Sequence, residues 1–263
     1  TRLYGTTWNG GSHYGAGTVF GVNRDGTEYT VLKTFDGSNG FCPQEALALA
    51  GTTLYGTTSQ AGVSNCGTIF KLNTDGSDFT VLKSFTGGDG SWPHGVLLVS
   101  GSTLYGTTAA GGSSGDGTVF KIGTDGSAYT ILHHFSALGY SPWGPLTNED
   151  GAHPQGGLVL SGTTLYGTAG SGGARGDGAI FRMNTDGSGF AVVKTLSWAD
   201  GDLPWALVLE GTNLFGACES GGPDTDGDGT VFELNTDGSG YRVLKNVNGL
   251  DGRSPNEDLI LAN

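Results

Sequence analysis

The sequence predicts an all-β fold, a β-propeller of five four-stranded antiparallel blades, and three observations carry that prediction. A marker returns about every fifty residues; the runs inside each copy alternate apolar and polar with period two; and the two chain ends read as halves of one copy. The marker LYGTT starts at Leu3, Leu54, Leu104 and Leu165 and returns as LFGAC at Leu214, in steps of 51, 50, 61 and 49 residues. Within a copy the apolar runs are short and bounded by Gly, Asp, Asn and Ser, a strand pattern with no helix in it. The closing LILAN, Leu259 to Asn263, followed by TRLYGTT at Thr1 to Thr7, matches LALAGTTLYGTT at Leu47 to Thr58. Counting from Leu214 through the end and on to Leu3 gives 52 residues, one more period.

Each element follows from this frame. The third copy shows it most clearly, with strand A at Val96 to Ser100, B at Thr103 to Thr108, C at Thr118 to Gly123 and D at Tyr129 to Phe135. A Gly-Ser turn joins A to B, and T-D-G-S joins C to D, where Asp-Gly supplies the positive backbone angles of a tight hairpin. The second copy places the same strands at Ala46 to Ala50, Thr53 to Thr58, Thr68 to Asn73 and Phe79 to Phe85. The fourth runs Leu158 to Leu160, Thr164 to Thr168, Ala179 to Asn184 and Phe190 to Leu196; the fifth runs Leu207 to Leu209, Asn213 to Cys218, Thr230 to Asn235 and Tyr241 to Val247. The first copy has B, C and D at Arg2 to Thr7, Thr18 to Asn23 and Tyr29 to Phe35, so residues 257–263 are expected to complete its sheet and close the ring. The domain is thus one propeller with blades at 1–36 plus 257–263, 44–86, 94–136, 155–197 and 205–247. Such blades cannot bury both faces alone and must stack around an axis.

Composition agrees. The 51 glycines among 263 residues sit at fixed places in a period, which marks turns rather than disorder. A net charge of −13 with only 12 Lys and Arg disfavours nucleic acid and anionic lipid as partners. No run of 18 apolar residues is present, so membrane insertion is not expected, and with no signal peptide visible the chain reads as processed or trimmed.

The combination LYGTT, a Gly-rich loop, GTVFKLNTDGS-like and YTVLKSF-like segments resembles the GloVer tandem repeat of secreted and surface-anchored bacterial proteins, over nearly the whole chain. The resemblance implies a propeller and export to the cell surface or medium. It brings no catalytic motif.

Connectivity separates two faces. The A–B and C–D turns share one face and are short and uniform. The B–C and D–A loops share the other, where the copies diverge, and specialisation is expected there. All five tryptophans fall on it: Trp8, Trp92, Trp143, Trp198 and Trp205, together with His13, Tyr14, His94, Tyr140 and His153. A flat ring with a polar edge suits half-wet ligands such as sugars, although any one Trp could instead cap the packing between blades. Every D–A joint carries [DN]-G-x-x-P, ending at Pro43, Pro93, Pro154, Pro204 and Pro255, a structural repeat. The residues after those prolines, Gln44, His94, Gln155, Trp205 and Asn256, are expected to ring the channel mouth.

The resulting expectation is a secreted, lectin-like propeller that binds carbohydrate or polysaccharide. The alternatives are a polysaccharide-cleaving hydrolase or lyase with a carboxylate pair at the mouth, or an adhesive surface protein with a protein partner. Glu45, Asp202, Glu219 and Glu257 are the candidate catalytic acids, with Asp258 beside them. No nucleophile elbow, H-E-x-x-H or P-loop is present. Asp224, Asp226 and Asp228 in DTDGDG have the alternating spacing of a calcium loop without its closing Glu, so they read as a calcium site or a solvated loop tip. Cys42 and Cys66 both reach the variable face of the second blade and are expected to form a disulfide. Cys218 reads as a small buried residue.

Overall fold

The computed structural model describes residues 1–11, 15–139, 144, 146–224, 226–250, 252–256 and 259–262. Among them there are nineteen strands and no helix, arranged as five antiparallel sheets. Blade 1 is β1 (Arg2–Thr7), β2 (Thr18–Asn23) and β3 (Thr30–Thr34); blade 2 is β4 (Ala48–Ala50), β5 (Thr53–Thr58), β6 (Thr68–Asn73) and β7 (Thr80–Ser84). Blade 3 is β8 (Ser91–Ser100), β9 (Thr103–Ala110), β10 (Thr118–Gly123) and β11 (Thr130–His134). Blade 4 is β12 (Val159–Ser161), β13 (Thr164–Ala169), β14 (Ala179–Asn184) and β15 (Ala191–Thr195); blade 5 is β16 (Asp202–Glu210), β17 (Asn213–Ser220), β18 (Thr230–Asn235) and β19 (Arg242–Asn246). The B and C strands follow the expected bounds closely. In blades 3 and 5 the inner strand starts earlier and runs across the joint, with a register shift after His94 and after Pro204 that accommodates the proline.

Sequence identity among the copies becomes identity of packing at the seams. The strand-C aromatics Phe70, Phe120, Phe181 and Phe232 are fully buried. The first three of these meet the last residue of the preceding blade edge-on: Phe35–Phe70, Phe85–Phe120 and Phe135–Phe181, with centroids 5.2–5.5 Å apart. Leu196 and Phe232 share the corresponding cluster in the fourth seam. A bulge in each D strand leaves one residue unpaired, and this residue leans toward the next blade's C–D turn. Leu32, Leu82, Leu132 and Val193 thus meet Gly76, Gly126, Gly187 and Gly238.

The D-G-x-x-P joint is the second lock. Each proline lies against the glycine before strand C of the preceding blade; a Cβ on Gly117 would stand 2.6 Å from Pro154 Cδ, and the pattern repeats at Gly17, Gly67, Gly178 and Gly229. The residue before each proline has a left-handed backbone: Cys42, Trp92, His153, Leu203 and Ser254, all with φ between 50° and 57°. Non-glycine residues rarely adopt it, and the following proline disfavours it further. At Cys42, Trp92, His153 and Ser254 an N–H donated to the preceding blade's carbonyl at 2.8–3.1 Å holds the conformation. Five variable side chains are thereby presented at fixed points on the loop face.

A third lock ties strand D to the joint. Lys83 pairs with Asp89, and Lys194 with Asp200 at 3.0 Å. Blade 3 substitutes His133, 2.9 Å from Asp150 and stacked on Phe190 with centroids 3.7 Å apart. Burial, reinforced by His134 and opposed by Asp150, pushes His133 below the ordinary histidine range. The native imidazole is therefore neutral, and as pH falls through about 6.5 the unfolded chain takes up a proton that the native state refuses. Stability is then lost progressively down to the depressed native value. Thermal melts at pH 7.5 and 5.5 should show a larger drop for the native sequence than for His133→Lys, which restores the pairing of the other blades.

The expected closure by residues 257–263 is not seen among the described residues. Glu257, Asp258 and Asn263 lie outside them, residues 259–262 belong to no strand, and the described part of blade 1 forms a three-stranded sheet. Leu259 and Ile260 instead border an apolar cleft of about 280 Å³ in the channel, beside the inner strands of blades 3, 4 and 5. Matching one copy of a repeat identifies a segment as an inner strand but does not name the blade it pairs with.

Candidate functional site

The loop face carries a cleft of about 210 Å³ lined by Trp8, Gln44, Ser59, Gln60, Trp92 and His94. Trp8 comes from the β1–β2 loop, Ser59 and Gln60 from the β5–β6 loop, Gln44 and Trp92 from two successive joints, and His94 from β8. Its floor is rigid. Phe41 and Gln60 exchange backbone hydrogen bonds at 3.1 and 3.2 Å, and Ser59 donates to Cys42 O from both its N–H and its hydroxyl. Over this floor the indoles of Trp8 and Trp92 stay 57% and 53% exposed. Two large apolar rings kept in water, next to an imidazole, two amides and a hydroxyl, form a surface with no evident packing role.

His94 links this cleft to the channel mouth. Its Nδ1 lies 2.9 Å from Glu45 Oε1, which orients the ring, and its edge meets Trp205 at 5.7 Å between centroids. Trp205 in turn donates from Nε1 to Glu219 Oε2 at 3.1 Å. Blades 3 and 5 come this close because Gly156 and Gly157, just before the inner strand of blade 4, carry no side chains: a Cβ on Gly156 would lie 2.6 Å from Trp205 O, and one on Gly95 2.5 Å from Gly157 N. The first threonine of the marker has a use here, since Thr6, Thr107 and Thr168 donate to the backbone oxygens of Glu45, His94 and Trp205. The mouth is a row of four side chains, Glu45, His94, Trp205 and Glu219, with a carboxylate at each end.

A model of the Gloeobacter/Verrucomicrobia repeat matches residues 1–151 and again 145–263. The chain belongs to the Gloeobacter/Verrucomicrobia repeat family. A comparison with curated proteins finds no match. Among solved structures, the repeat protein is similar to a chain of a nidogen–laminin complex, at 18% identity and a TM-score of 0.60, covering 96% of this chain and 78% of that one. It is also similar to a TolB from Agrobacterium tumefaciens described as putative, at 14% identity and TM-score 0.58, covering 93% of this chain and 81% of that one. An oligogalacturonate lyase from Vibrio parahaemolyticus matches at 14% identity and TM-score 0.53, with 86% of this chain and 60% of that one covered. These likenesses show the propeller fold, shared by proteins of different function.

Within this repeat protein the predicted site residues divide. Trp8, Gln44, Trp92 and His94 converge on one cleft, and Trp205 joins them through His94. Trp198 is 52% exposed but lies over blade 5, against Gly227. His153 serves the seam between blades 3 and 4, with Nδ1 2.6 Å from Ser171 Oγ and Nε2 3.7 Å from Asp116. Gln155 sits half-buried beside Gly170, and Asn256 is exposed. His13, Tyr14, Tyr140, Trp143, Glu257 and Asp258 lie outside the described residues. Gln60 and Ser59 were missed because they sit in a loop whose sequence, SQAG, carries no chemical signature.

Asp202 accepts from Ser220 at 3.2 Å, and burial, with Asp177 and Glu219 nearby, pushes its carboxyl above the usual range. The calcium expectation finds no cluster. Among the described residues no three acidic, His or Cys side chains are placed to hold a metal, and Asp228 turns into the seam toward Arg253, 3.4 Å away. The Cys42–Cys66 disulfide is not formed; both are free thiols. Both belong to blade-2 loops, but Cys42 is hydrogen-bonded into the seam with blade 1, whereas Cys66 accepts from Trp92 in the seam with blade 3. Cys218 is fully buried, and its thiol is pushed up to about 12, chiefly by burial, which leaves it protonated and inert.

A larger cleft, about 330 Å³, lies on the opposite face under the C–D hairpin of blade 3, between Ser102 and Ala128. Its wall is the T-D-G-S turn found in blades 2 to 5, and it is a by-product of that turn. Among the described residues no helix is long and apolar enough to cross a membrane.

Proposed function

We propose that the protein is a glycan-binding module of the bacterial cell surface or surrounding medium, and that a stretch of polysaccharide lies in the Trp8–Trp92 cleft with its polar edge toward His94 and the mouth. The observation that supports this most is the pair of half-exposed indoles sharing one rigid cleft with Gln44, Gln60, Ser59 and His94. Sugar rings present apolar C–H faces and hydroxyl edges, and this set offers a partner for each. The cleft is smaller than the roughly 300–1,000 Å³ that encloses a drug-sized ligand, which suits one or two residues of a longer chain. The location rests on the resemblance to repeats of secreted and surface-anchored bacterial proteins.

A second reading, cleavage of the bound polysaccharide, is favoured by one feature: the Glu45–His94 pair facing Glu219 across Trp205. A carboxylate-oriented imidazole is a general-base arrangement. The two readings part in one experiment. Tryptophan emission titrated with a panel of soluble polysaccharides should change saturably with one class, with no new reducing ends or unsaturated products on long incubation. Product formation abolished by His94→Ala would replace the binding role with the catalytic one, and no response to any glycan would sink both.

A further inference from the structure

The four seams define what each blade face needs, and two faces lack it. Every blade presents a front face to the back face of the next. The back face of blade 1 and the front face of blade 5 are the two left over, and among the described residues no apolar cluster joins them. On blade 1, Leu3 is 53% exposed where Leu54, Leu104, Leu165 and Leu214 are buried, Phe20 is half-buried where its four counterparts are fully buried, and Tyr29 is 57% exposed. On blade 5, Val231 and Val247 are half-buried where their counterparts are sealed, and the bulge residue Leu244 is 43% exposed. Gly26, the turn glycine that such a bulge residue should touch, meets nothing within 4 Å.

Among the described residues of the joint leaving blade 5, the contacts back to blade 5 are made, while Gly252 meets nothing within 4 Å on the other side. Ser254 donates to Asp228 O at 2.9 Å, and Pro255 Cδ lies 2.6 Å from the Cβ position of Gly229. Leu259 and Ile260 then enter the channel where an inner strand begins. Among the described residues β1 has no partner on its inner edge, and the nearest atoms around Gly5 are all from Phe20, whereas in the other four blades Leu47, Leu97, Leu158 or Leu207 packs beside the equivalent glycine. Among the described residues, therefore, nothing of blade 1 fills the position beside blade 5.

We propose that this gap is a docking surface for one further four-stranded blade of the same repeat, with residues 259–262 forming its inner strand. The partner is specified by the seams already present. Its back face must offer a buried leucine, a strand-C phenylalanine and a strand-D aromatic to Val231, Leu244 and Val247. Its front face must offer a terminal aromatic and a bulge leucine to Leu3, Phe20 and Tyr29. An open pair of apolar faces of this kind is a liability unless covered.

The test compares the chain with a version in which the sequence of residues 101–135 is appended after residue 262. Both carry Cys66→Ser and a single reporter, Leu3→Cys or Leu244→Cys, at positions exposed enough to tolerate the change. Maleimide labelling of the monomer should be fast at both positions in the unextended chain and slower by at least about tenfold in the extended one. Protection already present in the unextended monomer would mean that the five blades close on themselves. Protection only in an oligomer would assign the surface to a second copy, and equal labelling of both versions would mean that an added blade does not dock. Each of these three results overturns the proposal.

Discussion

Replacing Gly117 by alanine is expected to destabilise the protein by about 3–5 kcal/mol, whereas the same change at Gly101 costs about 1–2 kcal/mol. Both glycines have positive φ, 105° and 59°. A Cβ at Gly101 meets nothing within 4 Å. One at Gly117 would stand 2.5 Å from Thr108 O and 2.6 Å from Pro154 Cδ, and neither neighbour can give way: the first is strand backbone, the second is the proline that locks blade 4 onto blade 3. At roughly 2–4 °C per kcal/mol for a chain near this size, the melting temperatures of the two variants should differ by on the order of 10 °C. Equal melting temperatures would show that the proline–glycine lock does not hold the seam.

The second large effect is a contrast between equivalent residues. Phe120→Ala should cost about 3–5 kcal/mol, because the ring is fully buried between Phe85 and Tyr129. Phe20 occupies the same place in blade 1, stacked on Tyr29 at 5.3 Å but half-buried, so Phe20→Ala should cost only about 1–2 kcal/mol. Urea unfolding of the two variants measures both. Equal losses would mean that the back face of blade 1 is covered in solution by the rest of the chain.

How far the sequence could be read depended on what repeats. Strand bounds, the two faces and the structural role of D-G-x-x-P were legible because the same local chemistry recurs and must have the same cause each time. The left-handed residues before the prolines were not legible: Cys42, Trp92, His153, Leu203 and Ser254 share a backbone shape but no side-chain type. The disulfide failed because proximity to one blade is not proximity within one seam. Among the described aromatics of the loop face, Trp8 and Trp92 share one cleft, whereas Trp198, as exposed as Trp92, lies over blade 5 against Gly227, and His153 is hydrogen-bonded into a seam. The Glu45–His94–Trp205–Glu219 row depends on Gly156 and Gly157 withdrawing from the mouth, an effect of absent side chains in a different blade.

The central claim, that one cleft between Trp8 and Trp92 does the binding, is tested most directly by titrating the responsive polysaccharide into the native protein, Trp92→Ala and Trp198→Ala, with affinity read by calorimetry. Both side chains are exposed, so neither change should disturb the fold. The account predicts a loss of about tenfold or more for Trp92→Ala, corresponding to about 1.4 kcal/mol, and no change for Trp198→Ala. Undiminished binding by Trp92→Ala, or a loss confined to Trp198→Ala, would contradict it.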